Sequence, residues 1–99
     1  MLKFNIIGKH IELTDALKKH AEDKTSKLPK FYDSIREVDV IIDGNAGGGI
    51  GIEIIVRDEH NDAFIASETG PDAYKGIDDV VHKLERQLRR KKTRQRDDK

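Results

Sequence analysis

The 99-residue chain is long enough for one domain and too short for two independent cores. It has no cysteine, which excludes disulfides and thiolate metal ligands, and no apolar run approaches the ~20 residues of a membrane-spanning helix. Lysine plus arginine balance aspartate plus glutamate at 19 each, so the net charge alone does not favour a nucleic-acid partner.

The first half of the chain predicts a strand, a helix and two further strands. Apolar residues alternate with polar ones up to Gly8, as in a half-buried strand, at Leu2, Phe4 and Ile6. Thr14 can cap a helix that Pro29 should end, and its apolar face carries Leu17, Ala21 and Leu28. Alternation returns over residues 35–43 and 50–56, and the glycine-rich segment 44–49 predicts a flexible hairpin connection.

The second half predicts a fourth strand and a long amphipathic helix. A polar turn at residues 58–62 leads into a strand over residues 63–69, where either Phe64 or Ile65 could face the core. Pro71 suits the first turn of the helix, whose apolar residues recur at Tyr74, Ile77, Val81, Leu84 and Leu88. We therefore expect a domain over residues 1–92 and a short, polar, disordered tail over residues 93–99.

The element order β-α-β-β-β-α predicts an α+β two-layer sandwich. The first two strands are joined through a helix, and strands two to four can pair as antiparallel neighbours in one four-stranded sheet. Both helices then lie on the same face of the sheet, and the other face is open to water.

The balanced net charge hides an asymmetry along the chain. Residues 1–70 carry nine basic and thirteen acidic residues, whereas residues 71–99 carry ten basic and six acidic residues. Glu85 is the only acid within residues 83–96. The last helix therefore predicts a basic ridge that binds RNA phosphates without reading a base, at Lys83, Arg86, Arg89, Arg90 and Lys91. The alternative is a solvated helix face whose cations favour the C-terminal dipole.

A weaker basic signal lies on the first helix, because Glu22 and Asp23 interrupt its lysines. By itself this pattern is typical of ordinary surface. It gains weight only if both helices form the walls of one groove, and the RNA-binding set then includes Lys24, Lys27 and Lys30.

No pattern indicates catalysis or a cofactor. The glycine-rich segment lacks the Lys-Ser/Thr pair and the following helix of a P-loop. The four histidines come from separate elements without metal-ligand spacing, and a nucleophile elbow is absent from the sequence. We expect a protein that is not an enzyme and has no metal site.

Two segments of the last helix resemble a known family. DAYKGID at residues 72–78 and KLERQL at residues 83–88 are similar to the signature of the ribosome hibernation-promoting and ribosome-associated inhibitor family. Residues 11–14 and 27–28 also match, so the resemblance covers residues 1 to about 92. Gly76 stands where that helix usually has alanine, which costs up to ~1 kcal/mol of helix propensity unless close packing requires it.

The resemblance implies a fold similar to double-stranded-RNA-binding domains, bound to 16S ribosomal RNA of the 30S subunit and the 70S ribosome. The implied site is the mRNA and tRNA channel at the decoding centre, with Lys83, Arg86 and Arg90 facing the RNA. Occupation of that channel would block translation and promote hibernation as 100S dimers, a stress response of stationary phase.

The resemblance favours the short branch of the family, since the sequence shows neither a long acidic tail nor a second domain. It implies a cytoplasmic protein, monomeric when free, with ribosome modulation factor as its partner for 100S formation. Two alternatives stay open: a generic double-stranded-RNA-binding module, and a protein-interaction modulator of a sigma factor.

Overall fold

The computed structural model describes residues 2–97, with side chains described as far as Lys91. Its elements are β1 (Lys3–Lys9), α1 (Asp15–Thr25), a short 3₁₀ helix (Leu28–Lys30), β2 (Ile35–Ala46), β3 (Gly49–Asp58), β4 (Ala63–Gly70) and α2 (Ala73–Asp97). The predicted α+β sandwich with the order β-α-β-β-β-α is confirmed. Within the described range, no helix has both the length and the apolarity needed to cross a membrane.

The four strands form one mixed sheet in the order β1-β2-β3-β4. β1 runs parallel to β2, and the other neighbours are antiparallel. The register places Ile6 beside Val40, Val40 beside Ile54, and Ile54 beside Ala66. Because side chains alternate between faces, this row of apolar residues lies on one face across all four strands.

Both helices cover that face of the sheet. The buried residues of α2 are Ala73, Ile77, Val80, Val81, Leu84 and Leu88, and α1 adds Leu17 and Ala21. Thr14 caps α1 as expected, since its hydroxyl accepts a hydrogen bond from the Leu17 N–H at 3.2 Å. The opposite face stays open, with Ile7 54% exposed and Ile65 52% exposed. Phe64, which packs against the core, is therefore the inward residue of β4.

The first helix is shorter than the sequence predicts. It ends at Thr25, and Leu28 reaches the core from the 3₁₀ helix rather than from the face of α1. The Thr25 hydroxyl donates to the Ala21 carbonyl at 2.8 Å, and the Ser26 hydroxyl donates to the Asp23 carbonyl at 2.8 Å. Such side-chain bonds compete with the backbone ladder, so the helix ends before Pro29.

The glycine-rich connection is also shorter than predicted. β2 extends to Ala46 and β3 begins at Gly49, which leaves Gly47 and Gly48 as a two-residue turn with φ of 61° and 86°. Positive φ at both central residues suits the twist of a tight hairpin. Gly44 lies inside β2, where a Cβ would be 2.3 Å from the His10 carbonyl oxygen, so this glycine allows close approach rather than flexibility.

Two predictions about the last helix are wrong. Tyr74 is not a core residue: it is 41% exposed at the margin of the apolar face, with its ring centroid 5.1 Å from that of His20 on α1. The backbone of α2 is helical to Asp97 rather than ending near Lys92. Lysine, arginine and glutamine are good helix formers, so the helix continues without an apolar face. The predicted disorder of residues 98–99 lies outside the described residues.

Asp58 is a buried carboxylate that organises the turn between β3 and β4. It accepts hydrogen bonds from the Tyr32 hydroxyl and from the backbone N–H groups of His60 and Asp62, each at 2.9 Å. Burial by itself would raise the pKa of Asp58, but these hydrogen bonds outweigh it and hold the pKa below its usual value. The carboxylate therefore stays ionised at neutral pH and joins this turn to the segment after the 3₁₀ helix.

We expect Gly76→Ala to reduce the free energy of unfolding by about 1 kcal/mol, although alanine is the better helix former. A Cβ on residue 76 would lie 2.8 Å from Cγ1 of the buried Ile52. Urea denaturation measures the effect, and in the background of Ile52→Ala, which lacks the contacting Cγ1, Gly76→Ala should no longer reduce stability. A stabilised Gly76→Ala protein would show that the helix can move away from the sheet without cost.

We expect Tyr32→Phe to lower stability by about 1.5–3 kcal/mol at pH 7, because a charged acceptor loses its hydroxyl donor. The folded pKa of Asp58 is depressed, so its contribution is present above the unfolded pKa of about 3.9 and is lost as pH falls through the folded pKa. The difference between the two proteins should therefore shrink in acid. Denaturation at pH 7 and pH 3 measures it, and a difference of the same size at both pH values would contradict a contribution from the ionised Asp58 carboxylate.

Candidate nucleic-acid interface

The buried face of α2 decides where its basic residues point. Leu84 and Leu88 are fully buried, and successive residues advance by about 100° around a helix. Arg86 therefore lies about 200° from Leu84, on the solvent side, and Arg89 and Arg90 lie on either flank. All three arginines are exposed, so the helix presents them together at its C-terminal half.

Lys83 does not belong to this outward group, although the sequence placed it opposite the apolar face. Its ammonium lies 2.9 Å from the Glu68 carboxylate and donates to the Ser67 carbonyl at 2.9 Å. Both partners are on β4, the edge strand beneath this side of α2. The charge of Lys83 is therefore already matched by an acid.

Lys91 is also held by a partner. Its ammonium lies 3.1 Å from the Asp62 carboxylate in the β3–β4 turn, and this hydrogen bond raises the pKa of Lys91. The side chain is half-buried, since position 91 returns to the line of the apolar face. Lys91 is thus cationic at neutral pH but partly neutralised by Asp62.

Arg89 joins α2 to the 3₁₀ helix. Its guanidinium carbon lies 4.8 Å from the centroid of the Phe31 ring, a cation–π distance. Phe31 directly follows Lys30, so this contact brings the end of the 3₁₀ helix against the basic half of α2. Sequence reasoning did not single out Phe31, and its position between lysines and Tyr32 was the available signal.

The three lysines predicted near the first helix divide into two kinds. Lys24 lies 3.8 Å from Asp78, which also accepts from His20 Nε2 at 2.8 Å, so its charge faces an acid between the helices. Lys27 and Lys30 are exposed, with no hydrogen bond or ion pair to any side chain described.

We use the name basic corner for the exposed cations of the 3₁₀ segment and the C-terminal half of α2, which are Lys27, Lys30, Arg86, Arg89 and Arg90. It lies where the 3₁₀ helix meets the outer side of α2. Glu85 is next to it but half-buried, with a carboxylate oxygen 3.7 Å from His82 Nδ1. Such a group of exposed cations can bind phosphates through charge, without base-specific contacts.

Across residues 2–97, histidines and carboxylates do not form a group of three that could hold a metal. The His10–Asp43 and His20–Asp78 pairs stand apart, with nitrogen–oxygen distances of 3.2 Å and 2.8 Å. Coordination chemistry therefore has no support at the basic corner, where the arrangement can supply only charge and hydrogen-bond donors.

Comparison with known proteins gives the following matches. A family model described as sigma 54 modulation protein / S30EA ribosomal protein matches residues 4–96. The chain is 37% identical over 95 residues to a ribosome hibernation promotion factor of Lactococcus lactis and 34% identical over 98 residues to that of Staphylococcus aureus. Each alignment covers 95% of this chain, and the chain spans about half the length of these relatives, 51% and 50%.

Solved structures share the fold. The N-terminal domain of Protein Y from Thermus thermophilus matches with a TM-score of 0.78 and 29% identity, over 91% of this chain and 98% of that one. A ribosomal subunit interface protein from Coxiella burnetii has a TM-score of 0.78 at 23% identity, over 93% of this chain and 97% of that one, which supports the fold alone.

We expect Arg86→Ala to weaken binding to a structured RNA and Lys83→Ala to leave it nearly unchanged. Arg86 has no acidic partner among the described side chains, whereas Lys83 is matched by Glu68. Removal of one phosphate contact should reduce the slope of log affinity against log salt by about 1. Filter binding between 50 and 300 mM salt, concentrations chosen to resolve the slope, measures this, with Lys3→Ala on the open sheet face as the matched control. Equal losses for Lys83→Ala and Arg86→Ala would contradict the division made here.

Proposed function

The chain belongs to the family of sigma 54 modulation proteins and S30EA ribosomal proteins, and from that membership we propose that it binds ribosomes and holds them in a non-translating, hibernating state. Support comes from the two relatives named ribosome hibernation promotion factor, which align with nearly the whole of this chain. Ribosome binding would place the protein in the cytoplasm.

The basic corner is the observation that carries this proposal. Its five exposed cations belong to the 3₁₀ segment and to the C-terminal half of α2, which the Arg89–Phe31 contact brings together, although the chain has no net charge. Ribosomal RNA is the component of the ribosome that suits such a surface. Its phosphates are neutralised by lysine and arginine side chains, and the release of counterions then favours binding. We assign the contact to 16S RNA of the 30S subunit, with Arg86 and Arg90 as principal ligands and Lys27 and Lys30 beside them.

Binding by this surface needs no chemical step. A domain docked by its helices in the mRNA and tRNA channel would exclude those ligands by occupying their space. The described residues supply charge and a compact shape, which is sufficient for that role. The protein would therefore act as a non-enzymatic inhibitor in the free 30S subunit and in the 70S ribosome.

Joining two ribosomes is a separate step in this proposal. The chain would be monomeric when free and would inactivate 70S particles, and ribosome modulation factor would be the partner that completes 100S dimers. Modulation of a sigma factor is the second candidate, because the family description itself includes sigma 54 modulation. That activity would use protein contacts, whose dependence on salt is weaker than that of phosphate contacts.

Co-sedimentation with purified 30S, 50S and 70S particles tests the proposal. We expect binding to 30S and 70S that falls steeply with salt, by roughly 0.7–0.9 in the log–log slope for each phosphate neutralised. Arg86→Glu/Arg90→Glu should abolish it, while the charge-matched Lys3→Glu/Lys9→Glu should not. Binding to sigma 54 but not to ribosomes would overturn the proposal in favour of the second candidate.

Sucrose gradients test whether 100S formation requires ribosome modulation factor. Ribosomes are mixed with this protein alone, with the modulation factor alone, and with both. Inactive 70S particles with the protein alone and 100S particles with both are expected. Abundant 100S particles with the protein alone would contradict the need for the partner.

A further inference from the structure

A notch opens where the C-terminal half of α2 passes the edge strand β4. It has a volume of about 220 Å³ and is lined by Phe64, Gln87, Arg90 and Lys91. Small-molecule pockets are usually about 300–1,000 Å³, so this notch suits one planar group rather than a whole cofactor. It lies on the flank of α2 beside the basic corner, because Arg90 belongs to both.

Contacts on β4 explain why the notch forms at this position. Lys83 binds the Ser67 carbonyl and Gln87 Nε2 donates to the Ile65 carbonyl at 3.0 Å, so two side chains of α2 cover the exposed edge of β4. Arg90 makes no such bond to the strand among the described residues. The edge is therefore uncovered next to Phe64, and the aromatic side chain lines the opening.

The Phe64 ring is held in place from behind. Its edge-to-face partner is Tyr32, with centroids 5.9 Å apart and an interplanar angle of 71°. Tyr32 in turn is fixed by its hydrogen bond to the buried Asp58. The Phe64 ring is thus ordered before a ligand binds. Little side-chain conformational entropy is therefore lost when a ligand stacks on it.

The other walls supply polar groups of defined kind. Because the Gln87 amide nitrogen donates to Ile65, its oxygen is left to accept a hydrogen bond. Arg90 offers an exposed guanidinium, while Lys91 is anchored by Asp62. An aromatic face, one acceptor and one exposed cation together match an unstacked nucleobase and its phosphate.

We propose that this notch binds a single unpaired base of RNA, which stacks on Phe64 while Arg90 contacts its phosphate and the Gln87 oxygen accepts from an N–H group of the base. This inference rests on the proposed function, since it assumes that RNA is the ligand. It adds a stacking contact on the uncharged Phe64 to the electrostatic contacts of the basic corner. It predicts that part of the affinity is insensitive to salt.

Photocrosslinking of the unmodified protein tests the notch directly. The probe is a pentauridine RNA with a central 4-thiouridine, irradiated with the full chain and analysed by mass spectrometry after trypsin digestion. We expect the adduct on Phe64, within the tryptic peptide of residues 58–75. Adducts confined to other peptides, or none, would overturn the proposal, and this measurement depends on no variant folding.

Affinity measurements with Phe64→Leu give the second test. Loss of one stacked base should weaken binding of the same RNA about 5- to 150-fold, without changing the slope of log affinity against log salt. Phe64→Tyr should retain the affinity, and Ile65→Leu, next in sequence but on the open face, is the matched control. A folded Phe64→Leu protein with wild-type affinity would overturn the proposal.

The two proposals fail in different ways. If the wild-type chain does not sediment with 30S subunits, the proposed function is wrong whatever the oligonucleotide shows. If it sediments normally and only the crosslink and the Phe64→Leu effect are missing, the notch alone is wrong. Arg86→Ala, which should change the salt slope but not the crosslink position, separates charge from stacking.

Discussion

Packing of α2 on the sheet is the constraint from which the rest of the structure follows. Val40 and Ile54 on the sheet and Leu84 on the helix are all fully buried, and Gly76 lets the helix backbone approach Ile52 closely. This contact fixes the rotation of α2 about its axis. A rotation of about 100°, equivalent to one residue, would turn Arg86 from the solvent side to the flank of the helix, so the core decides which cations reach solvent.

The same packing divides the basic residues by what lies beside them. Lys83 forms an ion pair with Glu68, and Lys91 forms one with Asp62, whereas Arg86 points away from the sheet. Exposed ion pairs of this kind add little stability, about 0–1 kcal/mol. Their effect is on phosphate binding, because the nearby carboxylate weakens the attraction between a paired cation and a phosphate. A charge count along the helix therefore overstates the number of residues that can bind RNA.

A chain of contacts links the core to the surface on which function is proposed. The buried Asp58 carboxylate holds Tyr32, and Tyr32 supports Phe64 at the edge of the notch. On the other side of α2, Phe31 lies under Arg89. The neighbouring residues Phe31 and Tyr32 thus contact Arg89 on one side of α2 and Phe64 beside the notch on the other.

The order of elements, the single sheet and the apolar face of α2 were determined by the sequence, because local alternation and helical spacing report burial directly. Family membership was also apparent from residues 72–88, and the family match confirms it. The RNA-binding roles of the basic residues stay predictions. What required tertiary structure was everything that depends on contacts between distant segments.

Lys83, Tyr74 and Phe64 show why such contacts could not be predicted from the sequence. Lys83 is paired with Glu68 of strand β4, and Tyr74 lies against His20 of the first helix. The choice between Phe64 and Ile65 depended on the register of β4 with β3, and a shift of one residue exchanges the two faces. The spacing of residues along one helix or strand indicates the direction of a side chain relative to the axis of that element. Only the fold decides which residues that side chain contacts.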